Sequence, residues 1–164
     1  MPLNPRRQRR HLVGYALLEA LVAVIVTSVG FIAAARLQTL GLTFNNSALY
    51  RQKATLLGTQ MTDRMRANQA GMAKGAYNNP TPGDTACLAT GCTPAALAQA
   101  DASEWAADVA AQLPEGSGVV CIDSTPDDGT AGTPACDGTG QVLAVKVWWT
   151  DTLGSSRFVT VARP

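Results

Sequence analysis

Glu19 is the only charged residue in the apolar run YALLEALVAVIVTSVGFIAAA, residues 15 to 35. An ionised Glu in hydrocarbon costs roughly 2 to 4 kcal/mol, so this carboxylate needs a partner. In a plain single-pass anchor it has none. A secretory signal cut at the small residues Ala33-Ala34-Ala35 would have too long an apolar region, and that region would hold a charge. Hydrolysis between Gly14 and Tyr15 solves the problem, because it frees an α-amino group on Tyr15. Glu19 lies four residues on, about one helical turn away on the same face. It also falls in the first turn, where the helix dipole favours a negative charge. The ammonium it meets can be its own or that of a neighbouring subunit. In the second case docking removes the cost of an unpaired charge and drives assembly.

The remaining reactive side chains point away from catalysis. His11 is the only histidine, and it precedes Gly14 together with Arg6, Arg7, Arg9 and Arg10. A chain starting at Tyr15 keeps nine basic and twelve acidic residues and no histidine. Histidine-dependent acid–base, nucleophilic and metal chemistry then drops out. No carboxylate pair suggests itself as a replacement, so no catalytic residue, no cofactor and no enzyme activity is expected. Near-balanced charge gives no reason to expect direct nucleic-acid binding. Cys87, Cys92, Cys121 and Cys136 all follow the apolar run, and an even count in an exported region reads as disulfides. Three pairings are open. The local ones, Cys87–Cys92 and Cys121–Cys136, are favoured because each would pin a Gly/Pro/Thr-rich loop. A four-cysteine zinc site is the rival, but the gaps of four and fourteen residues lack its usual C-x2-C spacing. Asp127, Asp128 and Asp137 raise the question of calcium. They lack EF-hand spacing, and carboxylates in such a loop are usually solvated. No metal is expected.

Three kinds of element must carry these residues. As a helix, residues 15 to 35 span about 31 Å, enough for a bilayer core, and the arginines ahead of them hold the N-terminus in the cytoplasm. The helical pattern continues: Tyr50, Ala54, Leu57, Met61 and Met65 form one apolar stripe, with Arg51, Lys53, Asp63, Arg64 and Arg66 off it. No proline occurs between Tyr15 and Pro80. One helix is expected from Tyr15 to about Asn68, ended near Gly71, and the alternative is two helices hinged near Gly41. Arg64 and Arg66 read as a solvated face. A cysteine-bearing loop, residues 80 to 92, precedes a helix from Thr93-Pro94 to Leu113, with Ala98, Trp105, Val109 and Leu113 near one face. Asp101 and Ser103 are candidate interruptions. Strands are expected at residues 119–124, 141–151 and 157–164, the last two joined by a loop around Leu153-Gly154-Ser155. Trp148 and Trp149 take opposite faces, so one should lie outside the core, as an interface anchor or under a loop. The fold class is α+β: a long N-terminal helix, apolar in its first half and amphipathic in its second, packed on a small antiparallel sheet.

The segment G-YALLEALVAVIVTSVGF resembles the prepilin signature of type IV pilins and of the pseudopilins of type II secretion. The resemblance implies a leader at residues 1–14, removed by a prepilin peptidase that cuts after Gly14 and N-methylates Tyr15. It implies a membrane and fibre-core helix half at 15–40 and a periplasmic domain at 41–164. It makes Glu19, fifth in the mature chain, the residue that aligns subunits. Tyr15 departs from the Phe or Met usual there but stays aromatic, so processing is expected. ATLLGTQMTDRMRANQAGMAKGAYNN (54–79), and a Trp-bearing helix followed by LPEGSGVV, resemble PilV-type minor pilins of type IV pili. That likeness implies co-assembly with other minor pilins, the major pilin and a tip adhesin-like protein. Together they would prime and cap the fibre from the inner membrane and serve twitching motility, attachment and DNA uptake. A minor pseudopilin of a type II secretion system shares the leader, the carboxylate and the helix. A membrane-tethered enzyme or receptor domain is the reading from another class.

Overall fold

The computed structural model describes residues 13–83 and 85–163, and of Val13 and Gly14 the backbone only. The chain divides into two compact units, Met1–Phe44 and Asn45–Pro164. Helix α1, Val13–Ala67, is helical without a break through Gly30, Gly41 and Gly58. It is therefore a single helix, with no hinge at Gly41. Ala67 ends it. The Asn68 amide N–H donates to the carbonyls of Arg64 and Met65, and the Asn68 side chain caps a short second helix, α2 (Gln69–Ala73), by accepting from Gly71 N.

The anticipated stripe is the face that packs. Ala54, Leu57, Met61 and Met65 are buried in the core, and Tyr50 lies partly buried against it. The cysteine loop contains one short turn of helix, α3 (Cys87–Thr90). Helix α4, Pro94–Gln112, starts as its sequence suggests: the Thr93 hydroxyl accepts from Ala96 N, and proline sits in the first turn. Neither Asp101 nor Ser103 interrupts it. Asp101 turns inward to polar partners described below, and the Ser103 hydroxyl donates to the Gln99 carbonyl four residues back. Ala98, Trp105, Val109 and Leu113 are all buried.

Strands β1 (Ser117–Ile122), β2 (Leu143–Asp151) and β3 (Gly154–Ala162) form an antiparallel sheet in the order β1-β2-β3. Asp151 pairs with Gly154, so the hairpin loop is only Thr152-Leu153, shorter than the sequence suggested, and Asp151 Oδ1 closes it by accepting from Leu153 N at 2.7 Å. Period-two alternation puts Leu143, Val145, Val147 and Trp149 of β2 into the core with α1 and α4. Trp148 takes the opposite face, yet it too is buried. The central strand is covered on both sides, on its outer face by the chain between β1 and β2.

Two glycines set how closely these layers approach. A Cβ on Gly58 would lie 2.6 Å from the Phe158 ring, and one on Gly118 would lie 2.4 Å from the Trp105 ring. Trp105 therefore lies flush against β1. Its indole N–H donates to the Leu57 carbonyl of α1 at 2.9 Å, so one side chain joins both helices and the sheet.

Candidate functional site

Gly14, Tyr15 and Glu19 fall in the first two turns of α1 as described. The arginines and His11 of the expected leader lie outside the described residues. Every residue from Tyr15 to Leu42 is exposed, including Leu17, Leu21, Ile25, Phe31 and Leu37. Soluble monomers rarely leave so much contiguous apolar surface uncovered. This stretch is long and apolar enough to cross a membrane. Its few hydroxyls need no outside partner: Thr27 donates to the Ala23 carbonyl, Ser28 to Val24, Thr39 to Ala35 and Thr43 to Thr39. Each i→i−4 bond removes a polar group that hydrocarbon would penalise. Glu19 is the exception. Among the described residues no ion pair or hydrogen bond reaches its carboxylate.

In the second unit the end of α1 is held by a polar cluster that sequence patterning did not reveal. Arg64 is not a solvated residue. Its guanidinium, partly buried, donates to Glu104 at 2.8 Å and to Asp101 at 3.3 Å, both on α4. Asp101 also accepts from the Tyr77 hydroxyl at 2.6 Å, and Asn68 donates to that hydroxyl and to the Pro94 carbonyl. Burial, followed by the bond to Asp101, pushes the Tyr77 phenol well above its ordinary pKa, so it stays a donor. Arg66 does behave as expected, exposed and paired with Asp63, its neighbour one turn back. The "DRMRAN" run thus divides by face, Arg66 to solvent and Arg64 and Asn68 to the joint.

The outer sheet face carries the second polar group. Lys146, on β2 between Val145 and Val147, is fully buried, with Asp123 at 2.5 Å and Asp128 at 2.8 Å. Burial alone would lower the lysine pKa, but the two carboxylates beside it outweigh that and the net shift is upward. Arg157 holds the Gly129 carbonyl and Asp127. Nothing in the alternating pattern distinguished this lysine from a solvent-facing one. The signal available was the length of the 125–140 loop and its three aspartates, enough to reach back over the sheet.

Those aspartates do not converge. Asp127 pairs with Arg157 and Asp128 with Lys146, whereas Asp137 accepts from the Ser124 hydroxyl and from Thr139 N. The cysteines pair locally, Cys87 with Cys92 and Cys121 with Cys136, at Cα separations of 4.8 and 6.0 Å. One trio of potential ligands, Cys121, Asp123 and Cys136, comes together, but both its sulfurs are taken by the disulfide.

Asp137 makes the loop acid-sensitive. The Ser124 hydroxyl and the Thr139 amide hold its carboxyl down at about 2, against an ordinary 3.8. A carboxyl lowered in the folded state stabilises it above the ordinary value and loses that contribution as pH falls through the lowered one. In detergent-solubilised full-length chain, the Asp137 carboxyl carbon should titrate by NMR near pH 2, with the Ser124 and Thr139 amide shifts moving in step. A midpoint near 3.8 would mean that these bonds do not form in solution.

No family model matches this chain, and no curated protein or solved structure matches it either. The architecture itself, a long apolar N-terminal helix followed by a small antiparallel sheet, fits a pilin-like fold. Its exposed apolar helix is of a length to serve as a membrane anchor.

Proposed function

We propose that this chain is a minor pilin of the PilV type, a subunit of a type IV pilus with no catalytic activity. The observation that carries the reading is the apolar helix that starts after Gly14, with one carboxylate, Glu19, four residues after Tyr15 and without a partner among the described residues. A prepilin peptidase cuts after Gly14 and methylates the Tyr15 amine. The subunit then waits in the bacterial inner membrane with its second unit in the periplasm. Glu19 meets the terminal ammonium of a neighbouring subunit, and the exposed apolar side chains of residues 15–42 pack among those of other pilins in the fibre core. Dispersion contacts and the charge pair together replace lipid contact.

Co-assembly with other minor pilins, the major pilin and a tip adhesin-like protein follows from the same likeness, as does a position near the tip. What favours the pilus over a type II secretion pseudopilin is the PilV resemblance, carried in part by "DRMRAN", of which Arg64 and Asn68 close the end of α1.

Fractionation tests this. In the native cell, shearing should release the chain together with the major pilin, and deletion of its gene should reduce surface pili. A strain lacking prepilin peptidase should retain it, unsheared, in the inner membrane. If the chain stays in the membrane fraction of piliated wild-type cells and pili are normal without it, the proposal fails.

A further inference from the structure

On the outer sheet face an amine and a carboxyl group are buried side by side, both with no solvent exposure: Lys146 Nζ stands 2.5 Å from Asp123 Oδ2. A charge-assisted N–H···O bond runs about 2.7 to 2.9 Å, so this approach is closer than that. It also lacks the angles of a hydrogen bond, and Oδ2 accepts none from any described residue. The other carboxyl oxygen is engaged, because Oδ1 accepts from the Thr125 amide at 3.0 Å. A second carboxylate completes the arrangement. Asp128 Oδ1 accepts from Lys146 Nζ at 2.8 Å, and the Asp128 side chain is 43% exposed, so it links the buried pair to water. The reactive atoms sit on rigid supports. Lys146 belongs to the central strand and also donates to the Pro134 carbonyl at 2.9 Å. Asp123 directly follows β1, its amide bonded to the Val142 carbonyl.

We propose that Lys146 and Asp123 condense to an isopeptide bond, with Asp128 carrying the proton between them. A proton passes from the ammonium to Asp128, and the free amine attacks Cγ of Asp123, forming the N–C bond. Charge developing on Oδ1 in the tetrahedral intermediate is met by the Thr125 N–H. The Cγ–Oδ2 bond then breaks. Two of the three ammonium hydrogens leave with that oxygen as water, by way of Asp128, and the third stays on the amide nitrogen. Nothing is oxidised or reduced, and water is the sole product.

The two carboxylates hold Lys146 as the ammonium, and Lys146 in turn holds Asp128 ionised, so moving the proton to Asp128 is the uphill part of the step. Proximity offsets it. Fixing amine and acid in contact supplies an effective concentration on the order of 10⁵ to 10⁸ M for well-oriented groups. The product ties the end of β1 to the middle of β2 by a bond that reduction does not open. Beside it the Cys121–Cys136 disulfide holds the same loop reversibly.

Mass spectrometry of the full-length chain, purified in detergent, reduced and unfolded, decides the matter. The expected result is a mass one water below that of the sequence. Asp128–Gly129 and Asp137–Gly138 can also lose water by cyclising, so the loss must be located. After reduction, an endoprotease cutting before Asp127 and Asp137 separates Asp123 from Lys146 in an uncrosslinked chain. The two peptides should instead remain joined. Lys146→Arg should restore full mass, and Asp128→Asn should form both disulfides while keeping most of the chain at full mass. A wild-type chain at full mass, or a water loss confined to an Asp-Gly peptide, overturns the proposal whatever the variants do.

Discussion

Replacing Glu19 with Ala is expected to leave the cut at Gly14–Tyr15 intact and to lower the amount of this chain in sheared filaments about ten- to a hundredfold. The size follows from the interaction lost. A hydrogen bond to a charged group contributes about 1.5 to 3 kcal/mol, and each 1.4 kcal/mol is about a factor of ten in an equilibrium. Insertion into the membrane should if anything improve, because Ala removes a charge that hydrocarbon penalises by roughly 2 to 4 kcal/mol. The variant thus separates assembly from anchoring. Glu19→Gln keeps the shape and loses the charge, so it should behave like Ala, whereas a purely steric role would leave it near wild type. Quantitative blotting of the sheared and membrane fractions provides the readout. Normal incorporation of both variants would remove charge pairing from the account.

The second large effect belongs to Trp105. Trp105→Ala should destabilise the second unit by about 3 to 5 kcal/mol, the usual range for an aromatic removed from a core. That is a large share of the roughly 5 to 15 kcal/mol of a typical domain. The ring fills the space over Gly118, and its N–H bonds the Leu57 carbonyl, so its loss opens a cavity against β1 and removes one of the ties between α4 and α1. The two disulfides limit how far the chain comes apart but do not fill the cavity. Denaturant unfolding of the detergent-solubilised chain, followed by the fluorescence of Trp148 and Trp149, should show a lowered midpoint with a similar slope. A midpoint within experimental scatter of wild type would mean that α4 is not held through this residue.

Much of this was legible because it rests on periodicity. The 4-3-4-4 spacing of the α1 stripe, the alternation of Leu143, Val145, Val147 and Trp149, and the Thr93-Pro94 helix start are local patterns with one physical solution each. Polar residues facing inward were not legible. Arg64 and Lys146 stand where a charged residue ordinarily meets water. Only tertiary structure brings α4 to the first and the 125–140 loop to the second. Trp148 was ambiguous for the same reason: alternation assigns it a face but does not say what covers that face. Asp101 and Ser103, candidate interruptions of α4 by residue type, do not break it, because hydroxyl and carboxyl groups compete with helix bonds only when they lack better partners, and here Tyr77 and Arg64 supply them to Asp101. The residues proposed to act in assembly are a different case. Gly14, Tyr15 and Glu19 stand out in the sequence because the chemistry they imply needs a partner chain.

The most direct test is the mass of the N-terminal peptide of this chain isolated from native sheared filaments. A peptide beginning at Tyr15 and carrying a methyl group on its amine is the predicted result, since only that cut supplies an ammonium for Glu19. A peptide that still carries Arg9 and Arg10, or a chain that begins at Arg36, would contradict it.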